Sequence, residues 1–186
     1  QMEVIAKCMF NKNVLPDLIR HYIIFHHNKE QITKIVPRYH QYFAVNKAVE
    51  TTKVATAVDG DQRAGVIWHT QGSGKSLTMV WLAKWILENN PKARLLIVTD
   101  RTELDKQIER VFNDVGEPLK RTSSGKEIML QLSKPSPRLL CSLLHKFGKK
   151  DAFNFHQINN HYDYKFLINE NNYEKLKNFN IALKSN

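Results

Sequence analysis

The chain has 186 residues, 42% hydrophobic and 25% charged, enough to pack one domain and too apolar for a wholly disordered or collagen-like chain. Lys and Arg outnumber Asp and Glu by 28 to 18, a net charge of +10, which suits a polyanionic partner such as nucleic acid. No apolar run reaches the roughly 18 residues that a membrane span needs, so the expectation is no membrane association.

The first sixty residues read as helical. Asn13, Pro16 and Asp17 form a helix start, and Leu18, Ile19, Tyr22, Ile23 and Phe25 supply an apolar stripe behind it. Pro37 ends the next segment. A second helix is expected from Arg38 to about Thr56, with Tyr42, Val45 and Val49 on one side. Residues 60–63 are a turn, 64–69 a short buried strand and 70–74 a glycine-containing loop. A helix follows over 75–90, with Met79, Leu82, Ala83 and Ile86 on one face, and Trp68, Trp81 and Trp85 are expected in the core. Residues 94–99 are a continuous apolar run, as in a strand covered on both faces. A helix over 101–112, a short helix near 127–132 and a strand over 138–144 complete the pattern. This alternation predicts an α/β fold with a parallel sheet, preceded by a helical segment. The tail from 151 carries nine asparagines. Its residues 164–168 fit a strand and 173–183 a short helix, without evident connection to the rest. The divisions expected are 1–60, 61–150 and 151–186.

Cys8 and Cys141 stand in no metal-ligand spacing and fit a reducing, cytoplasmic setting. Gln1–Phe10 has no long apolar stretch of a secretory leader. His69 and His145 are isolated, so zinc is not expected. The charge is uneven: 118–150 holds eight Lys and Arg against Glu127 alone. Such a stretch is either a polyanion surface or a solvated lysine-rich face.

Chemistry concentrates in His69, Thr70, Gln71, Gly72, Ser73, Gly74, Lys75 and Ser76. The run is similar to a phosphate-binding P-loop, G-x-x-x-x-G-K-[ST], with His69 in place of the first glycine. Gly72 and Gly74 let backbone N–H groups curl around a phosphate, and the helix from Lys75 adds its positive end. Lys75 would reach the β- and γ-phosphates of ATP and the Ser76 hydroxyl would ligate Mg2+. The bland alternative is a Gly/Ser turn before an ordinary helix.

Residues 65–79, Gly-Val-Ile-Trp-His-Thr-Gln-Gly-Ser-Gly-Lys-Ser-Leu-Thr-Met, resemble motif I of the restriction (R) subunit of type I restriction–modification enzymes. The tryptophan and histidine ahead of the loop are typical of that family. Residues 98–107 resemble its motif Ia, 142–147 the strand-and-loop motif that follows, and Arg38-Tyr-His-Gln41 the Q-motif of superfamily 2 helicases. The resemblance covers about 13–150. It implies a partial RecA-like motor domain, one face of a cleft that closes on ATP. The implied parent activity is ATP-dependent DNA translocation coupled to cleavage, and the implied partners are DNA and the methylation and specificity subunits. It implies adenine contact for Gln41 and a DNA-phosphate role for Arg101, with Lys146 at the carboxyl end of a strand where ligands collect. Hydrolysis also requires an acidic Mg2+-holding box and usually an arginine finger. No Asp-Glu-Ala-His-like box follows Lys146 here: Asp163, Glu170 and Glu174 sit in no such motif. The expectation is a portion of a motor that binds nucleotide weakly without turnover. Another superfamily 2 helicase portion and a truncated, non-enzymatic product are the rivals.

Overall fold

The computed structural model of the chain describes residues 9–28, 31–57, 59–99, 101–146 and 163–168. The N-terminal part is mixed rather than helical. A single helical turn, α1 (Val14–Asp17), runs into a π-helical turn, Leu18–Tyr22. The chain then becomes extended at Ile23 (φ −83°, ψ 121°). Two strands, β1 (Ile24–Asn28) and β2 (Gln31–Ile35), pair antiparallel, with Ile24 opposite Ile35 and Asn28 opposite Gln31. This hairpin replaces the helical continuation. Ile23 and Ile24 are β-branched, which lowers helix propensity and favours the pleated conformation, and Ile32, Thr33 and Ile35 supply a matching partner. Only part of the expected stripe is buried: Leu18 and Tyr22 are inside, while Ile19 and Phe25 are exposed.

Pro37 precedes α2 (Tyr39–Ala55), whose Tyr42, Val45 and Val49 are buried, as the spacing predicts. The helix α3 (Lys75–Asn89) follows the glycine loop. Then come β3 (Ala93–Thr99), α4 (Thr102–Asp114), the two-residue β4 (Lys120–Arg121), α5 (Gly125–Leu132) and β5 (Leu139–Leu143). A 3-10 turn, Leu144–Lys146, and β6 (Asp163–Ile168) complete the described chain. The sheet is parallel, in the order β4-β5-β3-β6.

All seven residues of β3 are buried. Side chains alternate along a strand, so this run serves two cores. Leu95 and Ile97 join Val80, Trp81 and Ile86 of α3 and Ile108 and Phe112 of α4. Leu96 and Val98 join Ile128 and Leu132 of α5 and Leu140 of β5. No polar face is left to alternate.

Two arginines lock the helix ends to the sheet. Arg94 of β3, 1% exposed, donates through Nη2 to the carbonyls of Gln131 and Pro137, both at 2.8 Å, and through Nη1 to Leu132. It thereby satisfies carbonyls at the end of α5. Arg138, one residue before β5, donates to Ala93 and Leu87 at 3.0 Å and to Asn90 at 2.5 Å, doing the same for the end of α3. Terminal helix carbonyls lack intrahelical partners, and a cation there also meets the negative end of the helix dipole.

Three further differences from the sequence reading concern function. Residues 64–69 form no strand. A strand exists only with a partner, and β6 fills the edge of β3 that β5 leaves. Trp68 is 79% exposed instead of in the core, unlike Trp81 at 1%, because the segment carrying it has no sheet to pack on. The tail is joined to the domain: β6 pairs with β3 from Ala93 opposite Asp163 to Val98 opposite Ile168. The helix expected at 173–183 lies outside the described residues, as do Cys8 and Asp100.

Candidate functional site

The glycine loop sits where the N-terminus of α2 approaches the N-terminus of α3. Gly72 and Gly74 have φ of +77° and +81°, a region closed to most side chains but open to glycine. Gly74 is also the N-cap residue of α3. The Thr78 N–H donates to the Gly74 carbonyl at 3.1 Å and is the first to close the helix, so the N–H groups of Lys75, Ser76 and Leu77 have no acceptor within α3. Lys75 reaches back across the loop, its Nζ donating to the His69 carbonyl at 2.9 Å. Ser73 Oγ is buried with no hydrogen-bond partner among the described residues.

Gln41 is 4% exposed and acts as a brace between two elements. Its Oε1 accepts the Arg38 N–H at 2.8 Å, capping the start of α2. Its Nε2 donates to the carbonyls of Ser73 at 3.1 Å and Gly74 at 3.3 Å. Reversing the amide would set carbonyl against carbonyl and donor against donor, so these partners define its orientation. Sequence reading placed Gln41 at the site. It did not foresee that the whole amide is engaged with the loop, because no spacing rule joins residues 32 and 33 positions apart.

Beside the loop lies an open cleft of about 400 Å3, lined by Arg38, His40, Trp68, His69, Thr70, Gln71, Gly72 and Ser73, within the usual range for small-molecule sites. The rings of His40 and His69 meet edge to face at 5.2 Å between centroids. Arg38, His40 and Trp68 are the lining residues that the motif alone does not single out as ligand-facing.

The remaining expected residues are spread along the carboxyl side of the sheet. Arg101 is the exposed N-cap residue of α4. Lys146 donates to the Thr122 carbonyl. Arg121 is likewise engaged: its Nε lies 2.8 Å from Asp105 Oδ2 and its Nη1 2.9 Å from Glu109 Oε2. Asp105 is fully buried and also accepts from Cys141 Sγ at 2.8 Å and Thr99 Oγ1 at 3.3 Å. Burial, then the Asp105 carboxylate, pushes the Cys141 thiol far above its ordinary range, so it stays protonated and packs as a small apolar group. Of the basic stretch, Arg121, Arg138 and Lys146 thus serve the interior, while Lys120, Lys126 and Lys134 are exposed.

Residues 40–185 match the family model described as SWI2/SNF2 ATPase. A protein of Methanocaldococcus jannaschii provisionally named type I restriction enzyme MjaIXP endonuclease subunit is 33% identical over 92% of this chain. The type I restriction enzyme HindI endonuclease subunit of Haemophilus influenzae is 42% identical over 58% of it. The SauMSSORF170P type I restriction endonuclease subunit of Staphylococcus aureus is 26% identical over 84%. The chain spans 16%, 10% and 16% of the length of these relatives.

Proposed function

Because the chain belongs to the SWI2/SNF2 ATPase family, we propose that it supplies the nucleotide-binding part of an ATP-driven motor in a type I restriction endonuclease subunit. The observation that carries this reading is the loop itself. Two left-handed glycines, an orphaned buried serine hydroxyl, the open N-terminus of α3 and Lys75 arched over the loop carbonyl at 2.9 Å form a cradle for a polyphosphate. In it, the backbone N–H groups of Gly72, Gly74, Lys75 and Ser76 would meet the phosphate oxygens, the Ser73 N–H being held by the Thr70 carbonyl at 3.3 Å, and the helix end would contribute its positive field. Thr70 and Gln71 form the entry side of the loop. Lys75 would exchange the His69 carbonyl for the β- and γ-phosphates, a better partner for an ammonium because it is charged. The Ser76 hydroxyl, on the first turn of α3, would hold Mg2+, which neutralises charge on the transferred phosphate. Gln41 keeps the Ser73 and Gly74 carbonyls turned away from the phosphate.

The same reading assigns the parent activity, ATP-dependent translocation along DNA coupled to cleavage, and its partners: DNA and the methylation and specificity subunits. Arg101, exposed at the carboxyl side of β3, is assigned to a DNA phosphate. Lys146 is assigned there as well, once released from the Thr122 carbonyl.

The test is a titration of a fluorescent ATP analogue with Mg2+, using the chain and its Lys75→Ala variant. Saturable binding lost in the variant is the expected result. Equal binding by both, or none by a chain that circular dichroism shows folded, overturns the assignment of the loop.

A further inference from the structure

Asp105 lies in the first turn of α4 and is 0% exposed. A carboxylate is costly to bury unless it is paired and hydrogen-bonded, and this one meets three strands. Its Oδ1 accepts from Thr99 Oγ1 at 3.3 Å and from Cys141 Sγ at 2.8 Å, and its Oδ2 lies 2.8 Å from Arg121 Nε. Thr99 ends β3 and Arg121 ends β4, while Cys141 belongs to β5. Arg121 also reaches Glu109, one turn further along α4, at 2.9 Å, so two carboxylates of one helix hold its guanidinium. A well-packed apolar pair is often as stable as a buried ion pair. What an apolar pair does not supply is a fixed direction for the strand ends and the helix that meet there.

The backbone of Asp105 acts on the same place. Its N–H donates to the Arg101 carbonyl at 3.0 Å, and Arg101 is the exposed N-cap residue of α4. Arg101 is therefore bracketed. Thr99, just before it in the chain, is tied to the Asp105 carboxylate, and the Arg101 carbonyl is tied to the Asp105 N–H. A long cationic side chain loses rotamer freedom when it settles on a phosphate. A backbone already fixed beneath it lowers what remains to be ordered.

We propose that Asp105 is a positioning residue for DNA binding: touching no ligand itself, it holds the turn between β3 and α4 from both sides and so sets where the Arg101 guanidinium meets a backbone phosphate. The inference rests on the assignment of Arg101 to a DNA phosphate made above.

The experiment is binding of a fluorescently labelled DNA duplex by the full chain at several salt concentrations. The variants are Arg101→Ala, Thr99→Val, Thr99→Ser and Asp105→Asn, with Thr99→Val and Asp105→Asn also made in the Arg101→Ala background. Circular dichroism sets a temperature at which the compared variants are folded. Arg101→Ala is expected to flatten the salt dependence by about one phosphate contact. Thr99→Val and Asp105→Asn are expected to reproduce most of that flattening with Arg101 still in place. In the Arg101→Ala background they should add nothing, because residues that act through one contact are not additive. Thr99→Ser keeps the hydroxyl and should recover the slope. A merely structural role would lower stability in both backgrounds without this pattern in the salt dependence. Wild-type salt dependence in Thr99→Val and Asp105→Asn overturns the positioning role, as does a loss of equal size with and without Arg101. If Asp105→Asn does not fold, Thr99→Val decides the question by itself, since it leaves the Arg121 pair in place. If Arg101→Ala leaves DNA binding unchanged, or the chain binds no duplex, the assignment of Arg101 to a phosphate fails and the inference falls with it.

Discussion

Gln41 and Gly74 leave no room between them: a Cβ built on Gly74 would stand 2.5 Å from Gln41 Nε2. The same glycine holds φ at +81°. The left-handed backbone therefore favours glycine at this position of the loop, and the close approach means that any Cβ there displaces the Gln41 amide. Gly74→Ala would cost about 1–2 kcal/mol for the backbone alone and would push the amide off the Ser73 and Gly74 carbonyls. Its affinity for ATP with Mg2+ is expected to fall at least about tenfold, since 1.4 kcal/mol corresponds to a factor of ten. The double variant Gly74→Ala with Gln41→Ala removes the clash and leaves the φ cost, so it should recover only part of the loss. Wild-type affinity in the single variant would show that the loop is not held as described.

A second prediction concerns the buried carboxylate. Asp105 is fully enclosed, and Arg121 is its only cationic partner among the described residues. Arg121→Ala leaves the carboxylate with one hydroxyl and one thiol as neutral donors. Breaking a buried pair from one side costs about 3 kcal/mol or more, so urea unfolding at pH 7 should show a loss of that order. Exposed Lys126→Ala, on α5, should stay within about 0.5 kcal/mol of wild type.

Much of the domain was legible because it rests on local rules. The unbroken apolar run at β3 and the helical spacing of α2, α3 and α4 each express a periodicity that one element carries by itself. The glycine loop was legible because the left-handed positions demand glycine. The misreadings are relational. Residues 64–69 look like a strand, but strand formation depends on an available edge. The hairpin of β1 and β2 depends on two short segments finding each other. The fit of β6 against β3 joins residues about seventy positions apart, and the grip of Gln41 on the loop crosses more than thirty. Trp68 was misplaced for the same reason: its burial follows from the strand that did not form.

Charge provides a third prediction. Arg138 looks, in sequence, like part of a basic surface, yet its guanidinium is engaged with three carbonyls. Arg138→Lys keeps the charge and loses the fork geometry, so it should lower the melting temperature by several degrees, as about 1 kcal/mol does in a domain of this size. Its DNA affinity should keep the same dependence on salt. The pair Lys126→Ala with Lys134→Ala is expected to do the reverse, leaving the melting temperature unchanged and flattening the salt dependence by up to about two phosphate contacts. Binding measured at several salt concentrations separates the two cases.

The two tyrosines under the N-terminal segment give opposite signs at high pH and at neutrality. Tyr42 donates its hydroxyl to Asp17 Oδ2 at 2.7 Å. Burial, and then that bond, pushes its phenol up to about 12, against about 10 when unfolded. A raised folded value means that the stability it contributes is complete below pH 10 and is lost as the pH rises from 10 to 12. Tyr42→Phe should therefore be about 1–2 kcal/mol less stable than wild type at pH 7, with the gap closing across that window. Tyr22, whose ring packs 4.9 Å from that of Tyr42, is raised further still, chiefly by burial. Its hydroxyl has no hydrogen-bond partner among the described residues. Removing an orphaned buried donor costs nothing and can stabilise, so Tyr22→Phe should be neutral or slightly more stable at pH 7. It should also resist alkaline unfolding, because no buried phenolate need form. Urea unfolding of both variants from pH 7 to pH 11 tests this. A marked loss in Tyr22→Phe at pH 7 would mean that its hydroxyl has a partner after all.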